Sequence, residues 1–280
     1  MSDIPTLYKY MPFRKEFFEN FYLRCTPRSA LNDPFELRPS NQYMFHHTTE
    51  VLGNLEFKEG SDESKRWTQG ILEKAFKKLG LVSFSETRDS ILMWSHYADN
   101  HKGIVIEFDP AHKFFDNNPA TSRKLGRVSY RKERLKSLPY RWNEIFPESD
   151  KTRIYLEKAD EWIYEKEYRL ICDLYAVNDT LCSTEYYDEK LRHKYPNYTP
   201  EPATNEMVSL KDIEARYNVA SDLEVLCMLE VPKDCIRSVT CGAMMPQEDK
   251  DYVKQKADEL GFSYREAVID DNEYRLNFLG

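Results

Sequence analysis

The sequence predicts an α+β fold: a single domain, 1–280, with a mixed central sheet flanked by helices and a C-terminal strand–helix–strand unit. Three observations carry this. Short runs of strand length and β-branched or aromatic composition, such as Leu7–Met11 and Ile104–Phe108, recur along the chain. Residues 61–79 hold the clearest helical stripe: Trp67, Ile71, Leu72, Ala75, Phe76 and Leu79. From 225 onward, strand-like segments surround one helix that Pro246 opens and Gly261 closes.

Taken in order, Leu7–Met11 is a strand, Arg14–Asn20 a short helix and Tyr22–Thr26 a second strand. Residues 27–36, Pro-Arg-Ser-Ala-Leu-Asn-Asp-Pro-Phe-Glu, are dense in turn formers and form a loop. The helix over 61–79 has acids in its first turn, lysines in its last and Gly80 as its stop. Leu81–Ser85 follows as a strand, Ser90–Asn100 as a short helix, and Gly103 releases the chain into the strand Ile104–Phe108. Thr152–Tyr164 is expected as a helix and Glu167–Cys172 as a strand. Residues 178–220 are polar and carry Pro196, Pro200 and Pro202, which predicts an excursion over the surface. The strands Val225–Val231, Ile236–Gly242, Phe262–Ile269 and Tyr274–Phe278 complete the chain, and the crossover from 236 to 269 predicts two parallel strands.

The balance of charge narrows the function. A net charge of −8 argues against nucleic-acid binding over the whole surface. One segment departs from it: between Arg123 and Arg141 eight cations (Arg123, Lys124, Arg127, Arg131, Lys132, Arg134, Lys136, Arg141) face one anion, Glu133. That run is read as a solvated helix face and as the one place where a polyanion would dock. Cysteines at 25, 172, 182, 227, 235 and 241 form no CxxC pair and no His-partnered spacing, so neither a metal nor a redox framework is expected. With no signal segment at the start and no apolar run of spanning length, a soluble cytoplasmic protein without a membrane partner is expected.

Three clusters carry candidate chemistry. In Asn32-Asp33-Pro34-Phe35-Glu36, turn formers predict a rigid loop whose polar side chains suit a ribose hydroxyl or a substrate amine. Around Met93-Trp94-Ser95-His96-Tyr97-Ala98, helical spacing puts Met93, His96 and Tyr97 on one face, and His96 and Tyr97 need polar partners wherever they are buried. In Glu165-Lys166-Glu167-Tyr168-Arg169, a strand beginning by Glu165 turns Glu165, Glu167 and Arg169 to one face. Two carboxylates about 7 Å apart with an arginine beside them suit a site that handles a developing cation.

Together these clusters resemble a bacterial and phage-associated family, domain of unknown function 2971. The likeness runs through Leu7-Tyr8-Lys9-Tyr10, Leu31-Asn32-Asp33-Pro34-Phe35-Glu36, Phe84-Ser85-Glu86, Met93 to Ala98, Lys102-Gly103 to Phe108, Trp162, and Glu165 to Leu170. That resemblance implies no activity.

A more distant one, to ADP-ribosyltransferases, does. Tyr8-Lys9-Tyr10 resembles the first strand element of that family, Ser83-Phe84-Ser85 the second, and Glu165-Lys166-Glu167 the Glu-x-Glu of the third. Lys9 stands where His or Arg is expected, and Glu86 follows Ser85. The resemblance implies NAD as substrate, cleavage of its nicotinamide–ribose bond and transfer of ADP-ribose to an acceptor. Glu167 would stabilise the oxocarbenium-like transition state and Glu165 would position or deprotonate the acceptor. Tyr8, Lys9, Tyr10, Asn32, Ser85, Trp94, His96, Tyr97 and Arg169 are the candidate nucleotide-binding residues. Two alternatives stand beside this reading. One is a non-catalytic module that binds or senses a nucleotide-like ligand. The other is a nucleic-acid hydrolase with His96 as base and the basic run as docking surface.

Overall fold

The computed structural model describes residues 4–52, 58, 60–117, 123–135 and 148–280. Strands β1 (Leu7–Met11), β2 (Tyr22–Arg24) and β3 (Thr26–Pro27) open the chain, with helix α1 (Phe17–Asn20) between the first two. Helices α2 (Asn41–Leu52) and α3 (Asp62–Phe76) precede β4 (Leu79–Ser85), α4 (Ile91–Tyr97) and β5 (Ile104–Phe108). Then come β6 (Lys124–Arg127), β7 (Ser129–Arg131), α5 (Glu148–Tyr155), β8 (Glu157–Ala159), a 3-10 turn over Asp160–Glu165, and β9 (Glu167–Asp173). The remainder is β10 (Asp179–Ser183), α6 (Thr184–Tyr186), β11 (Glu201–Pro202), β12 (Met207–Ser209), α7 (Ile213–Val219), β13 (Leu226–Glu230), β14 (Ile236–Cys241), α8 (Gln247–Leu260), β15 (Ser263–Ile269) and β16 (Leu276–Leu279).

Among these residues the main sheet runs β16-β15-β14-β5-β1-β4-β9-β6, with β3 beside β4. It is mixed: β14 and β15, joined by α8, are parallel, and its other pairs are antiparallel. This is the α+β single domain that the apolar runs predict. β5 shows why its sequence is a central strand. Ile104, Val105, Ile106 and Phe108 are all buried, and the partly exposed Glu107 accepts from Ser238 Oγ at 2.8 Å. Each such apolar side chain withdrawn from water stabilises the fold by about 1.5–3 kcal/mol. α8 starts after Pro246, carries Glu248 and Asp249 in its first turn, and ends at Gly261 with φ 79°, the left-handed conformation that favours glycine.

Other expectations fail for identifiable reasons. Thr152–Tyr164 is not one helix: α5 ends at Tyr155, and Glu157–Ala159 pairs in parallel with β7 instead. The amide of Ser129 donates to Leu156 O at 2.7 Å, a tertiary bond that local propensity does not contain. Gly80 does not stop α3, which ends at Phe76 with Lys77 as its cap. It sits inside β4, where a Cβ would collide with Leu174 and Cys25. The basic run is not a helix face. Within its described part 124–127 and 129–131 are β6 and β7, and Lys132 and Arg134 follow outside any helix or strand. Arg127 pairs with Glu86 and Arg131 with Glu157, and Lys136 and Arg141 lie outside the described residues.

The polar stretch 178–220 is folded rather than merely draped. It supplies β10, β11 and β12 of a second sheet, ordered β11-β12-β10-β13-β2, and packs Cys182, Tyr186, Tyr187, Leu191, Val208 and Leu210 into a cluster of their own. Much of that interior is tyrosine whose hydroxyls find partners, as Tyr187 donates to Tyr198 O and Tyr186 to Asp222, so its composition reads as polar. α2 is a helix that the sequence pattern did not suggest.

Candidate functional site

Antiparallel pairing of β4 with β9 sets Ser85 opposite Glu167 and Ser83 opposite Arg169. On the other side β4 meets β1 through one register pair, Tyr8↔Ser85. Past that pair the two strands part, and Lys9 Nζ, not a ladder amide, donates to Ser83 O at 2.9 Å. A cavity of about 80 Å³ lies in this split. Its wall includes Tyr8, Lys9 and Tyr10 from β1, Ser83 and Ser85 from β4, and Tyr97 from α4. Asn32 and Glu36 from the loop, Lys158 from β8, and Glu165 and Glu167 complete it.

Glu165 reaches this place by a route other than the one expected. It belongs to the 3-10 turn, not to β9, and Lys166 takes a left-handed φ of 45° between them. Both carboxylates are nonetheless buried, at 2% and 3% exposure. They meet on Lys158 Nζ, which lies 2.6 Å from Glu165 Oε2, 3.4 Å from Glu167 Oε2 and 3.2 Å from Glu36 Oε1. Arg169 lies behind them, fully buried. Its Nε and one terminal nitrogen donate to the two oxygens of Glu167, each at 2.9 Å, and it also pairs with Glu36 and donates to Tyr155 O. Four of its five N–H donors are spent on the protein and it is absent from the cavity wall, so Arg169 holds the glutamates and does not face a ligand.

The two acids are driven apart electrostatically. Burial alone would raise Glu167, but Arg169 and then Lys158 overcome it and hold the carboxyl at about 2. Burial is the largest influence on Glu165 and pushes its pKa up. Lys158 opposes that rise and Glu167 adds to it. Tyr97 donates to Glu165 Oε1 at 2.5 Å and itself accepts from Asn32 Nδ2 at 3.4 Å. Ser85 Oγ donates to Glu165 O at 2.6 Å, which anchors the turn to β4. Two lysines share the wall with opposite outcomes. Burial lowers Lys158, but Glu167, Glu36 and Glu165 outweigh it and keep the cation. Burial also lowers Lys9, and the more weakly felt Glu167 and Glu165 leave it at about 8.

Of the candidate residues named from sequence, Glu165, Glu167, Tyr8, Lys9, Tyr10, Asn32, Ser85 and Tyr97 line the cavity. Trp94, His96 and Arg169 do not. Trp94 is fully buried core, with its indole donating to Arg88 O and its ring edge-on to Tyr10. His96 is exposed and shares a hydrogen bond with Tyr164 Oη at 3.1 Å. Glu36 and Lys158 are the additions. Glu36 stood in a loop flagged for its polar side chains, whereas Lys158 was hidden within a helical-looking stretch.

A second, larger cleft of about 520 Å³ shares Glu36 and Lys158 with the cavity. Phe35, 60% exposed, Trp162 and the cations Arg38, Arg131, Lys132 and Arg134 contribute to it. Asp33, also in its wall, is buried. Its Oδ1 caps the Phe35 amide at 2.8 Å, and its Oδ2 is buried with no hydrogen-bond partner. Among the described residues no group of three or more His, Cys, Asp and Glu side chains is arranged to hold a metal ion, and no helix is long and apolar enough to cross a membrane.

Residues 93–170 match the model of a family described as "Protein of unknown function (DUF2971)". The match begins within α4 and ends on β9, so it contains Tyr97, Lys158, Glu165, Glu167 and Arg169. No curated protein and no solved structure matches the chain, so the likeness to ADP-ribosyltransferases has no counterpart in these comparisons.

Proposed function

We propose that the split between β1 and β4 is the reaction site of an enzyme that cleaves the glycosidic bond of a nucleotide, with NAD as substrate. One observation carries the reading: two buried carboxylates line one cavity, and their surroundings push their pKa values in opposite directions. Such divided pairs separate a fixed charge from a proton carrier. Glu167, ionised throughout the working range, opposes positive charge developing at the ribose carbon as the C–N bond breaks and its electron pair leaves with nicotinamide. Glu165, with its raised pKa and its bond to Tyr97, takes the proton of the attacking acceptor or water.

The fit of a nucleotide divides between the two spaces. A cavity of about 80 Å³ is smaller than the roughly 150 Å³ that encloses a benzene ring, so it takes the reacting atoms and not a whole base. The neighbouring cleft is large enough for the rest. Arg38, Arg131, Lys132 and Arg134 suit phosphates, and Phe35 and Trp162 offer ring faces. On this reading Arg131, Lys132 and Arg134 would serve as the polyanion surface expected of the basic run.

Nicotinamide release from NAD by the wild-type protein and by Glu165→Gln is the test. A fall of about 10²-fold or more in the variant is expected. A second reading has its own support: both oxygens of Glu167 are already held by Arg169, as in a site built to bind and not to turn over. Calorimetric binding of NAD by a wild-type protein that releases no nicotinamide would establish that reading and end the first.

A further inference from the structure

We propose that Lys9 is a nucleophilic amine that captures small aldehydes, including the open-chain aldehyde of a sugar, as an imine in the cavity between β1 and β4. The proposal stands apart from NAD cleavage and needs no part of it.

Its basis is the contrast between two lysines that line the same small space. Lys158 is enclosed by three carboxylates within 3.4 Å and has a tryptophan ring beside it, 4.8 Å from its Nζ. An ammonium so surrounded does not give up its proton and has no free direction of attack. Lys9 makes no ion pair among the described residues, and its Nζ is held by one acceptor, Ser83 O at 2.9 Å. An ammonium has three donors, so this lysine sits in a protein-lined cavity with most of its hydrogen-bonding capacity unused.

The groups around it favour the neutral amine. Glu165 and Glu167, from the 3-10 turn and β9, act on it only at a distance, and Glu36 and Lys158 stand further along the wall as a mutually compensated pair. Tyr8 and Tyr10 on its own strand and Tyr97 on α4 all have raised pKa values, chiefly from burial, and so stay uncharged. Burial then outweighs the two distant acids, and Lys9 loses its proton near pH 8. At neutral pH its neutral fraction is on the order of 10²-fold larger than that of a surface lysine.

The step balances without an external oxidant or reductant. The amine lone pair of Lys9 attacks the aldehyde carbon, and a proton passes from nitrogen to the carbinolamine oxygen. Loss of that oxygen as water leaves the C=N bond. Glu165, on the same wall, is placed to pass a proton to the departing hydroxyl and to take one back from the iminium nitrogen, so the carboxyl ends as it began.

The test is reductive trapping with glycolaldehyde and cyanoborohydride, followed by peptide mapping of every labelled lysine. Glycolaldehyde is small enough for the cavity. At pH 7 Lys9 should be modified at least tenfold faster than the exposed Lys132, with a rate that climbs through an inflection near pH 8, and Lys158 should stay unlabelled. Lys9→Arg should remove that label alone. Modification of Lys9 no faster than Lys132, or a rate still climbing to pH 10 without inflection, overturns the proposal. Because the site-resolved rate is measured on the wild-type protein, the result does not depend on whether the variant folds.

Discussion

The charged cluster has two sides built from the same residue types, and they differ in how completely each charge is answered. On one side Arg169, behind the cavity, is locked to Glu167 and Glu36 of the cavity wall, and Lys158 completes the network; all four are buried. On the other side Glu165, Tyr97 and Lys9 have fewer partners; burial moves the Glu165 pKa up and the Lys9 pKa down to about 8, both toward neutrality, while it pushes Tyr97 up and keeps it uncharged. Buried charge by itself therefore does not mark the reactive group. The informative property is what remains unanswered once the ion pairs are complete, and here that property belongs to Glu165 and Lys9.

The comparison can be broken most forcefully at Arg169. Arg169→Met leaves two buried carboxylates without their main partner, and urea denaturation should show a loss of about 3–5 kcal/mol or failure to fold. Glu167→Gln belongs in the same class, since it strips the guanidinium of a bidentate acceptor, so a purely catalytic effect is not expected of it. The opposite sign is expected at Lys9. Its folded pKa of about 8 lies below the unfolded value near 10.5, so the folded state binds fewer protons between those limits and stability rises with pH across them. Lys9→Met removes the penalty that acts below pH 8. The variant should be more stable than wild type by about 1–2 kcal/mol at pH 7, after losing the bond to Ser83 O, and the gap should close as pH approaches 10.5.

A finer probe is Tyr97→Phe. Its hydroxyl lowers the Glu165 pKa, so its loss should raise that pKa further, visible as an upward move in the Glu165 carboxyl titration by NMR, with about 1 kcal/mol of stability lost. The smallest effect is expected at His96. Its partner is Tyr164 at an exposed position, so His96→Ala should change stability by no more than about 0.5 kcal/mol and leave nicotinamide release untouched.

The sequence disclosed those parts of the molecule whose cause is local. β5 declares itself by an unbroken apolar run, and α8 by a proline before it and a glycine after it. Glu165 and Glu167 were found through alternation along one strand, although a left-handed turn at Lys166, and not strand geometry, brings Glu165 back into line. Lys158 was illegible because β8 exists only through its pairing with β7 and the bond from Ser129 to Leu156. Arg169 was misread in the other direction: its type suggested a ligand contact, but tertiary packing had already used four of its five donors. His96 and Trp94 show the limit of helical spacing, which places side chains on one face without saying what that face meets.

Residues 99–101 follow α4 with three successive left-handed conformations, φ 46°, 51° and 66°. This knot brings the chain so close to the sheet that a Cβ at Gly103 would strike Met11 O and Ala98, and one at Gly242 would strike His101 O. Neither glycine touches the cavity, but together they form the joint from which α4 presents Tyr97 to Glu165. A random-mutagenesis screen for loss of function would therefore return these two positions alongside the site residues. Suppressors of such lesions would be expected in the backbone turn itself, not among the side chains that do the chemistry.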